Sequence, residues 1–237
     1  MQTDAEGTGQ GRKDKEGLSM PQRKPSLDFG LYVVTDEGLS RGMSHSDIAR
    51  LALEGGADAI QLRDKNMGGR MLMEHARMIR RMTNDLGKLL IVNDRLDIAL
   101  ASGADGVHLG QEDMAVADAR RLAPRPFMIG ITVHDVDEAL KAERGGADYL
   151  GLSPIFSTGT KADAGAACGV GMISNVKKAV TIPLVAIGGI GPSNARDVLE
   201  AGADGLAVIS VVVGQPDIAG SARRLKDIIS AFRDNKG

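Results

Sequence analysis

GGADAI at 55–60, SGADGV at 102–107, GGADYL at 145–150 and AGADGL at 201–206 are four versions of one string: a small residue, Gly, Ala, Asp, any residue, an apolar residue. Their second positions, Gly56, Gly103, Gly146 and Gly202, lie 47, 43 and 56 residues apart. Each copy follows an amphipathic stretch and precedes an apolar run. Glycine ends helices by taking up left-handed backbone, so each string predicts a helix end, a turn and then a buried strand. An interval near 45 residues is too long for one strand–helix unit and right for two.

The missing units lie between the repeats. Buried strands are predicted at 31–35 (LYVVT), 59–63 (AIQLR), 89–93 (LLIVN), 106–109 (GVHL), 128–132 (MIGIT), 149–153 (YLGLS), 184–187 (LVAI) and 206–210 (LAVIS). Helical patterns fall near 45–54, 68–86, 95–101, 115–122, 135–144, 170–179, 193–201 and 217–234. Eight strands apolar on both faces, alternating with eight helices, describe an α/β protein with a closed (β/α)8 TIM barrel. An open doubly wound sheet would need fewer strands or a dinucleotide fingerprint after the first one, and neither is present.

The 237 residues suit one catalytic domain over 29–237, preceded by a tail over 1–28 that has almost no large apolar groups and is expected to be disordered. Its GTGQGRK stretch lacks the spacing of a phosphate loop. Glycine is in excess, 31 residues, while aromatics make up 3% with no Trp, which removes a stacking platform for single-stranded nucleic acid. Lys and Arg (29) nearly balance Asp and Glu (31) and are scattered, so no nucleic-acid partner is expected. The single cysteine excludes an internal disulfide or a CxxC motif. No apolar run reaches the length of a membrane span and no signal-peptide core is present, so the expected compartment is the cytoplasm, with no membrane partner. A homo-oligomer is left open.

Barrel enzymes place their chemistry at the C-terminal ends of the strands. Here those ends carry Gln61, Arg63, Asp64 and Lys65 after strand 2, Asn93 and Asp94 after strand 3, and Asp113 after strand 4. Thr132 and His134 follow strand 5, and Ser153, Thr158, Thr160 and Lys161 follow strand 6. Gly188-Gly189-Ile190-Gly191 and Ile209-Ser210, at strands 7 and 8, suit a phosphate approached by backbone N–H groups. Asp94 and Asp113 suit Mg²⁺, which takes one or two carboxylates and completes its shell with water and substrate phosphates. Asp94 could instead pair with Arg95 or cap a helix, and Asp113 could cap the next helix. Arg63, Lys65 and Lys161 at the same mouth favour a metal–polyphosphate complex. His108 reads as a satisfied core imidazole, His45 and His75 as ordinary helical residues, and Cys168 as structural. His134 fits a helix start or a site equally well.

QLRDK (61–65), NDR (93–95), GVHLGQED (106–113), GITVH (130–134), SPIFSTGTK (153–161), AIGGI (186–190) and AVIS (207–210), in this order, resemble the thiamine-phosphate synthases across residues 30–234. The resemblance implies a transferase that joins 4-amino-2-methyl-5-hydroxymethylpyrimidine diphosphate to 4-methyl-5-(2-hydroxyethyl)thiazole phosphate with Mg²⁺, giving thiamine phosphate and diphosphate. It implies that Gln61, Leu62, Arg63, Asp64, Lys65, Asn93, Thr132 and Lys161 hold the pyrimidine diphosphate, with Lys161, Arg63 and Thr132 catalytic. Asp94 and Asp113 would hold the metal. Thr158, Gly159, Thr160, Gly189, Ile209 and Ser210 would hold the thiazole phosphate. Thr132 departs from the family's usual Ser, and Ser157 from a common Pro. The alternatives are a thiazole tautomerase-like isomerase using His134, and a non-catalytic paralogue that binds thiazole phosphate.

Overall fold

The computed structural model describes residues 29–160 and 165–235; the expected tail and Lys161 lie outside them. Eight strands run β1 (Gly30–Val34), β2 (Ala59–Leu62), β3 (Leu89–Asn93), β4 (Gly106–Leu109), β5 (Met128–Val133), β6 (Tyr149–Leu152), β7 (Leu184–Ile187) and β8 (Gly205–Val208). Between and after them come α1 (His45–Glu54), α2 (Gly69–Leu86), α3 (Leu96–Ser102), α4 (Val116–Leu122), α5 (Val136–Gly145), α6 (Val170–Ala179), α7 (Ala195–Glu200), α8 (Ser210–Val213) and α9 (Ile218–Asp234). Every strand pairs in parallel with its neighbours in the chain, and β1 also pairs with β8, from Gly30↔Gly205 to Val33↔Val208. That last ladder closes the barrel and removes the open sheet.

One element differs from expectation. The eighth strand ends at Val208 rather than at Ser210, and Ser210 begins the short helix α8. Apart from Ser210 the Ile-Ser-Val-Val-Val run is apolar, and it is too short for its pattern to separate a strand from a buried helical turn. Val212 and Val213 are buried, and Gly214 N–H closes the turn on Ser210 O at 3.1 Å.

Alternation along the strands sorts the core into two layers. Leu31, Val33, Ile60, Leu62, Leu90 and Val92 point outward and pack under the helices. Tyr32, Val34, Ala59, Ile91, Tyr149 and Val185 point inward and fill the lumen with a separate cluster.

Each residue of the Gly-Ala-Asp string has a distinct task. Gly56, Gly103, Gly146 and Gly202 have φ between 70° and 107°. The alanine that follows donates its N–H five residues back, as Ala104 does to Ala99 O at 3.0 Å and Ala147 to Ala142 O at 3.1 Å, which is the Schellman closure. The aspartates work across strands. Asp58 accepts the N–H of Leu31 at 2.9 Å, Asp105 that of Leu90 at 2.8 Å, Asp148 that of Ile129 at 2.8 Å and Asp204 that of Leu184 at 2.7 Å. Each therefore fastens an odd strand to the even strand it precedes, which is why the repeat spans two strand–helix units. Each also has a basic partner: Lys88 and Lys226 for Asp58, Arg80 for Asp105, Arg120 and Arg125 for Asp148, Lys177 for Asp204.

Candidate active site

The opposite end of the barrel collects the residues singled out from the sequence. At β7 and β8, Thr158, Thr160, Gly189, Ile209 and Ser210 line one cavity. Gly159, between the two threonines, is not among the residues lining it. Thr160 Oγ1 donates to Ser210 Oγ at 3.2 Å, tying the loop after β6 to the start of α8. Gly188 and Gly189 have φ of 106° and 65°. A Cβ on Gly189 would meet Phe156 Cβ at 2.7 Å and Ser157 O at 2.9 Å, so the glycine is required by the loop pressed against it as well as by the turn. Asn194 braces the turn, accepting from Gly191 N–H at 2.8 Å and donating to Gly189 O at 3.0 Å. Ile209 is buried against the lumen cluster and also lines this cavity.

At β3 and β4 the two expected metal carboxylates come together. Asp94 has left-handed backbone, φ 59°, anchored by its N–H on His108 O at 2.8 Å. Burial pushes its carboxyl up; Lys65, at 2.8 Å, opposes that, and the neighbouring Asp113 carboxylate adds to it. Asp113 accepts the N–H of Gly110 at 2.7 Å. Arg95 pairs with Asp97 instead, at 2.6 Å, so a simple Asp94–Arg95 pair is not formed. Two adjoining carboxylates, one of them reluctant to ionise, form a hard oxygen donor set that suits Mg²⁺.

The 61–65 run divides by face. Gln61 points into the lumen and Leu62 is buried in the outer layer, so only the backbone of Leu62 can meet a ligand. Arg63 lies 3.5 Å from Asp36. Asp64 shapes the loop: its Oδ1 accepts the N–H groups of Asn66 and Met67, both at 2.7 Å, and its Oδ2 meets His45 Nε2 at 3.1 Å. Burial alone would raise this carboxyl, but these contacts outweigh it and hold Asp64 below the ordinary value.

His45 is thereby more than an ordinary helical residue. It is fully buried at the start of α1, with Nδ1 2.7 Å from Thr35 Oγ1, and that hydroxyl accepts Arg63 N–H at 3.2 Å. The imidazole pins the loop carrying Arg63 and Lys65 to the end of β1. Glu37, His45 and Asp64 bring ligand-type atoms within 4.8 Å of one another, but hydrogen bonds account for all three.

Inside the lumen, Gln61, Thr132 and His108 line a second cavity with Tyr32 and Tyr149. Asn93 pairs in register with His108. The His108 imidazole is satisfied, as expected, yet it faces this cavity: Nε2 lies 2.9 Å from Thr132 Oγ1 and Nδ1 3.0 Å from Tyr149 Oη. Tyr32 and Tyr149 are not singled out by the sequence because they sit in apolar strands. For Tyr149 an inward glycine opposite it is the available signal: a Cβ on Gly130 would clash with the Tyr149 ring.

His134 is exposed and belongs to the helix start. Asp135 accepts Glu138 N–H at 2.9 Å while Glu138 accepts the N–H of His134 at 2.8 Å, a reciprocal arrangement of the capping-box kind, and His134 Nδ1 adds a contact to the same carboxylate at 2.9 Å. Cys168 is half-buried, its thiol pushed up by burial, as a structural residue's would be.

Fold and mouth together define a class: a (β/α)8-barrel enzyme with a glycine turn at β7–β8 and paired carboxylates at β3–β4. The comparisons narrow it. The sequence pattern of the family described as thiamine monophosphate synthase matches residues 31–212. The chain is 56% identical over 207 residues to the thiamine-phosphate synthase of Methanocella arvoryzae, covering 87% of this chain and 98% of that one. It is 50% identical over 208 residues to that of Chloroflexus aurantiacus, covering 88% and 96%. A solved structure, the thiamine phosphate pyrophosphorylase of Pyrococcus furiosus, superposes with a TM-score of 0.81 at 42% identity, covering 88% of this chain and 98% of that one. The chain belongs to the thiamine monophosphate synthase family, and it is an enzyme, a transferase.

Proposed function

We propose how this barrel carries out the synthesis of thiamine phosphate that its family membership gives it. The pyrimidine of the diphosphate substrate occupies the lumen against Gln61, Asn93 and Thr132. Its diphosphate lies at the mouth, beside Arg63 and Lys65, and Lys161, outside the described residues, is the third cation assigned to it. The thiazole phosphate sits on Gly189, Ile209, Ser210, Thr158 and Thr160. The observation that carries this reading is that the two cavities adjoin: Ile187 and Ala207 line both. A phosphate anchored at β7–β8 therefore places its thiazole next to a ring held in the lumen.

Bond-breaking is at the pyrimidine methylene. The C–O bond breaks with its electron pair leaving on diphosphate, the ring shares the positive charge, and the lone pair of the thiazole nitrogen forms the new C–N bond. Arg63, Lys65 and Lys161 stabilise charge that grows on the departing diphosphate. Asp94 and Asp113 would hold Mg²⁺, which when bound supplies further neutralisation of that diphosphate. No side-chain nucleophile is needed; the barrel aligns two substrates and keeps water from the cation. Thr132 keeps the hydroxyl that a serine would supply and adds a methyl beside the ring. Ser157, in place of a ring-constrained proline, leaves the approach to Thr158 less rigid.

The partners are phosphorylated small molecules, and the compartment is the cytoplasm, in keeping with a single cysteine. Among the described residues no helix is long and apolar enough to cross a membrane. The test is formation of thiamine phosphate from the two substrates, with Mg²⁺ and with chelator, for wild type and Lys161→Ala. Product that requires Mg²⁺ and collapses in the variant supports the reading. Folded wild type that binds thiazole phosphate and makes no product would overturn it in favour of an isomerase or a binding paralogue.

A further inference from the structure

The lumen holds an unbroken hydrogen-bonded chain between two residues assigned above to the pyrimidine. Gln61 Nε2 donates to Tyr32 Oη at 2.9 Å; Tyr32 Oη lies 3.1 Å from Tyr149 Oη; Tyr149 Oη lies 3.0 Å from His108 Nδ1; and His108 Nε2 lies 2.9 Å from Thr132 Oγ1. Its links come from five strands, β1, β2, β4, β5 and β6, so no helix or loop contributes. Both tyrosines are fully buried, and burial pushes both phenols far above their ordinary value, so each keeps its proton.

With Gln61 Nε2 turned toward Tyr32, the chain has one direction that satisfies every member. An amide nitrogen only donates, so Tyr32 must accept from Gln61, and the remaining partner for its own proton is Tyr149. Tyr149 then donates onward to His108 Nδ1. A neutral imidazole that accepts at Nδ1 carries its proton on Nε2, and that proton goes to Thr132 Oγ1. The Thr132 hydroxyl proton is left to point out of the chain, and at the other end Gln61 retains its carbonyl oxygen. With that amide in place, reversing any link strands a buried hydroxyl proton without an acceptor, which is the costly case for a polar group out of water.

We propose that Tyr32, Tyr149 and His108 are positioning residues that set the hydrogen-bond polarity of the lumen, so that Gln61 offers a carbonyl oxygen and Thr132 a hydroxyl proton to the ring bound between them. An amino group beside a ring nitrogen presents the complementary donor–acceptor edge. The barrel is shaped around this chain: besides Gly130 under Tyr149, a Cβ on Gly151 would stand 2.8 Å from His108 Cε1, so β5 and β6 carry glycine where the two rings pass. The inference rests on the assignment of the pyrimidine to the lumen, and its first test does not need substrate.

In protein labelled with ¹⁵N at histidine, the ring signals of His108, identified by their loss in His108→Gln, are expected to show the neutral tautomer protonated at Nε2. A ring protonated at Nδ1 would overturn the proposal even if the enzyme makes thiamine phosphate. Tyr149→Phe removes the central link. It is expected to shift the Nδ1 signal and to raise KM for the pyrimidine diphosphate about tenfold, the cost of one lost buried hydrogen bond. KM for the thiazole phosphate should stay within twofold. Unchanged KM for the pyrimidine diphosphate, with melting temperature preserved, would overturn it. Should Tyr149→Phe fail to fold, Tyr32→Phe cuts the chain one link earlier with the same expectations for KM. Wild type that shows the Nε2 tautomer yet makes no product would overturn the synthase reading and leave the polarity of the chain standing.

Discussion

At the N-terminal end of the barrel, Asp58, Asp105, Asp148 and Asp204 each take a backbone N–H from a neighbouring strand and the cation of a Lys or Arg. At the C-terminal end, Asp94 and Asp113 press against each other with Lys65 as the nearby cation on Asp94. The same side chain is neutralised at one end and left short of neutralisation at the other. The first arrangement is what a carboxylate does for a fold; the second costs stability and is useful only if a cation completes it. Asp105 blurs the division, since burial leaves its carboxyl raised in spite of Arg80 and the Leu90 N–H.

The sharpest way to break this comparison is Asp94→Asn. Asparagine also tolerates left-handed backbone, so the expected outcome is a loss of activity of about 10²–10³-fold with a melting temperature unchanged or higher. A large fall in melting temperature would place Asp94 among the structural aspartates.

Asp58→Asn should give the opposite pair of results. Removing one partner of a buried ion pair costs about 3–5 kcal/mol, which for a chain of this size lowers the melting temperature by roughly 10 °C, while kcat of the folded protein stays within twofold. Burial raises the Asp58 carboxyl, but Lys226, Lys88 and the Leu31 N–H together bring it below 3.8. Its stabilisation is therefore present in full above the ordinary carboxylate value and is lost as pH falls through the lower, folded-state value. Denaturation followed against pH should show that acid-side slope in wild type and a shallower one in the variant.

His45→Gln tests a residue of mixed kind, buried like the staples but at the functional end. A rise of about tenfold in KM for the pyrimidine diphosphate, from one lost charged or buried hydrogen bond, should come with only a modest loss of stability. An unchanged KM would make it purely structural. Smallest of all, His134→Ala should change activity less than twofold and stability by about 0.5 kcal/mol or less, as for an exposed position. Activity at background would make His134 a proton-transfer base and favour the isomerase.

Much of this was legible in the chain. The left-handed glycines at 56, 103, 146 and 202 and the strand-end inventory of Asp94, Asp113, Thr158, Thr160, Gly189 and Ser210 follow from local pattern. What escaped was long-range. Tyr32 and Tyr149 are 117 residues apart and look like apolar-strand residues until the lumen brings their hydroxyls together. His45 and Asp64, 19 residues apart, are joined because the start of α1 lies against the beginning of the loop after β2. The last strand was overextended because a run of β-branched residues fits a strand and a buried turn alike.

By itself the sequence determined the alternation of strands and helices, the turn at each Gly-Ala-Asp, and the end of the barrel on which polar residues gather, because these rest on residue type and spacing of a few positions. Only the tertiary structure decided which polar groups meet. Closing eight strands with inward and outward positions alternating puts side chains from different strands at one level of the lumen, and hydrogen-bond partners are chosen by that level rather than by distance along the chain.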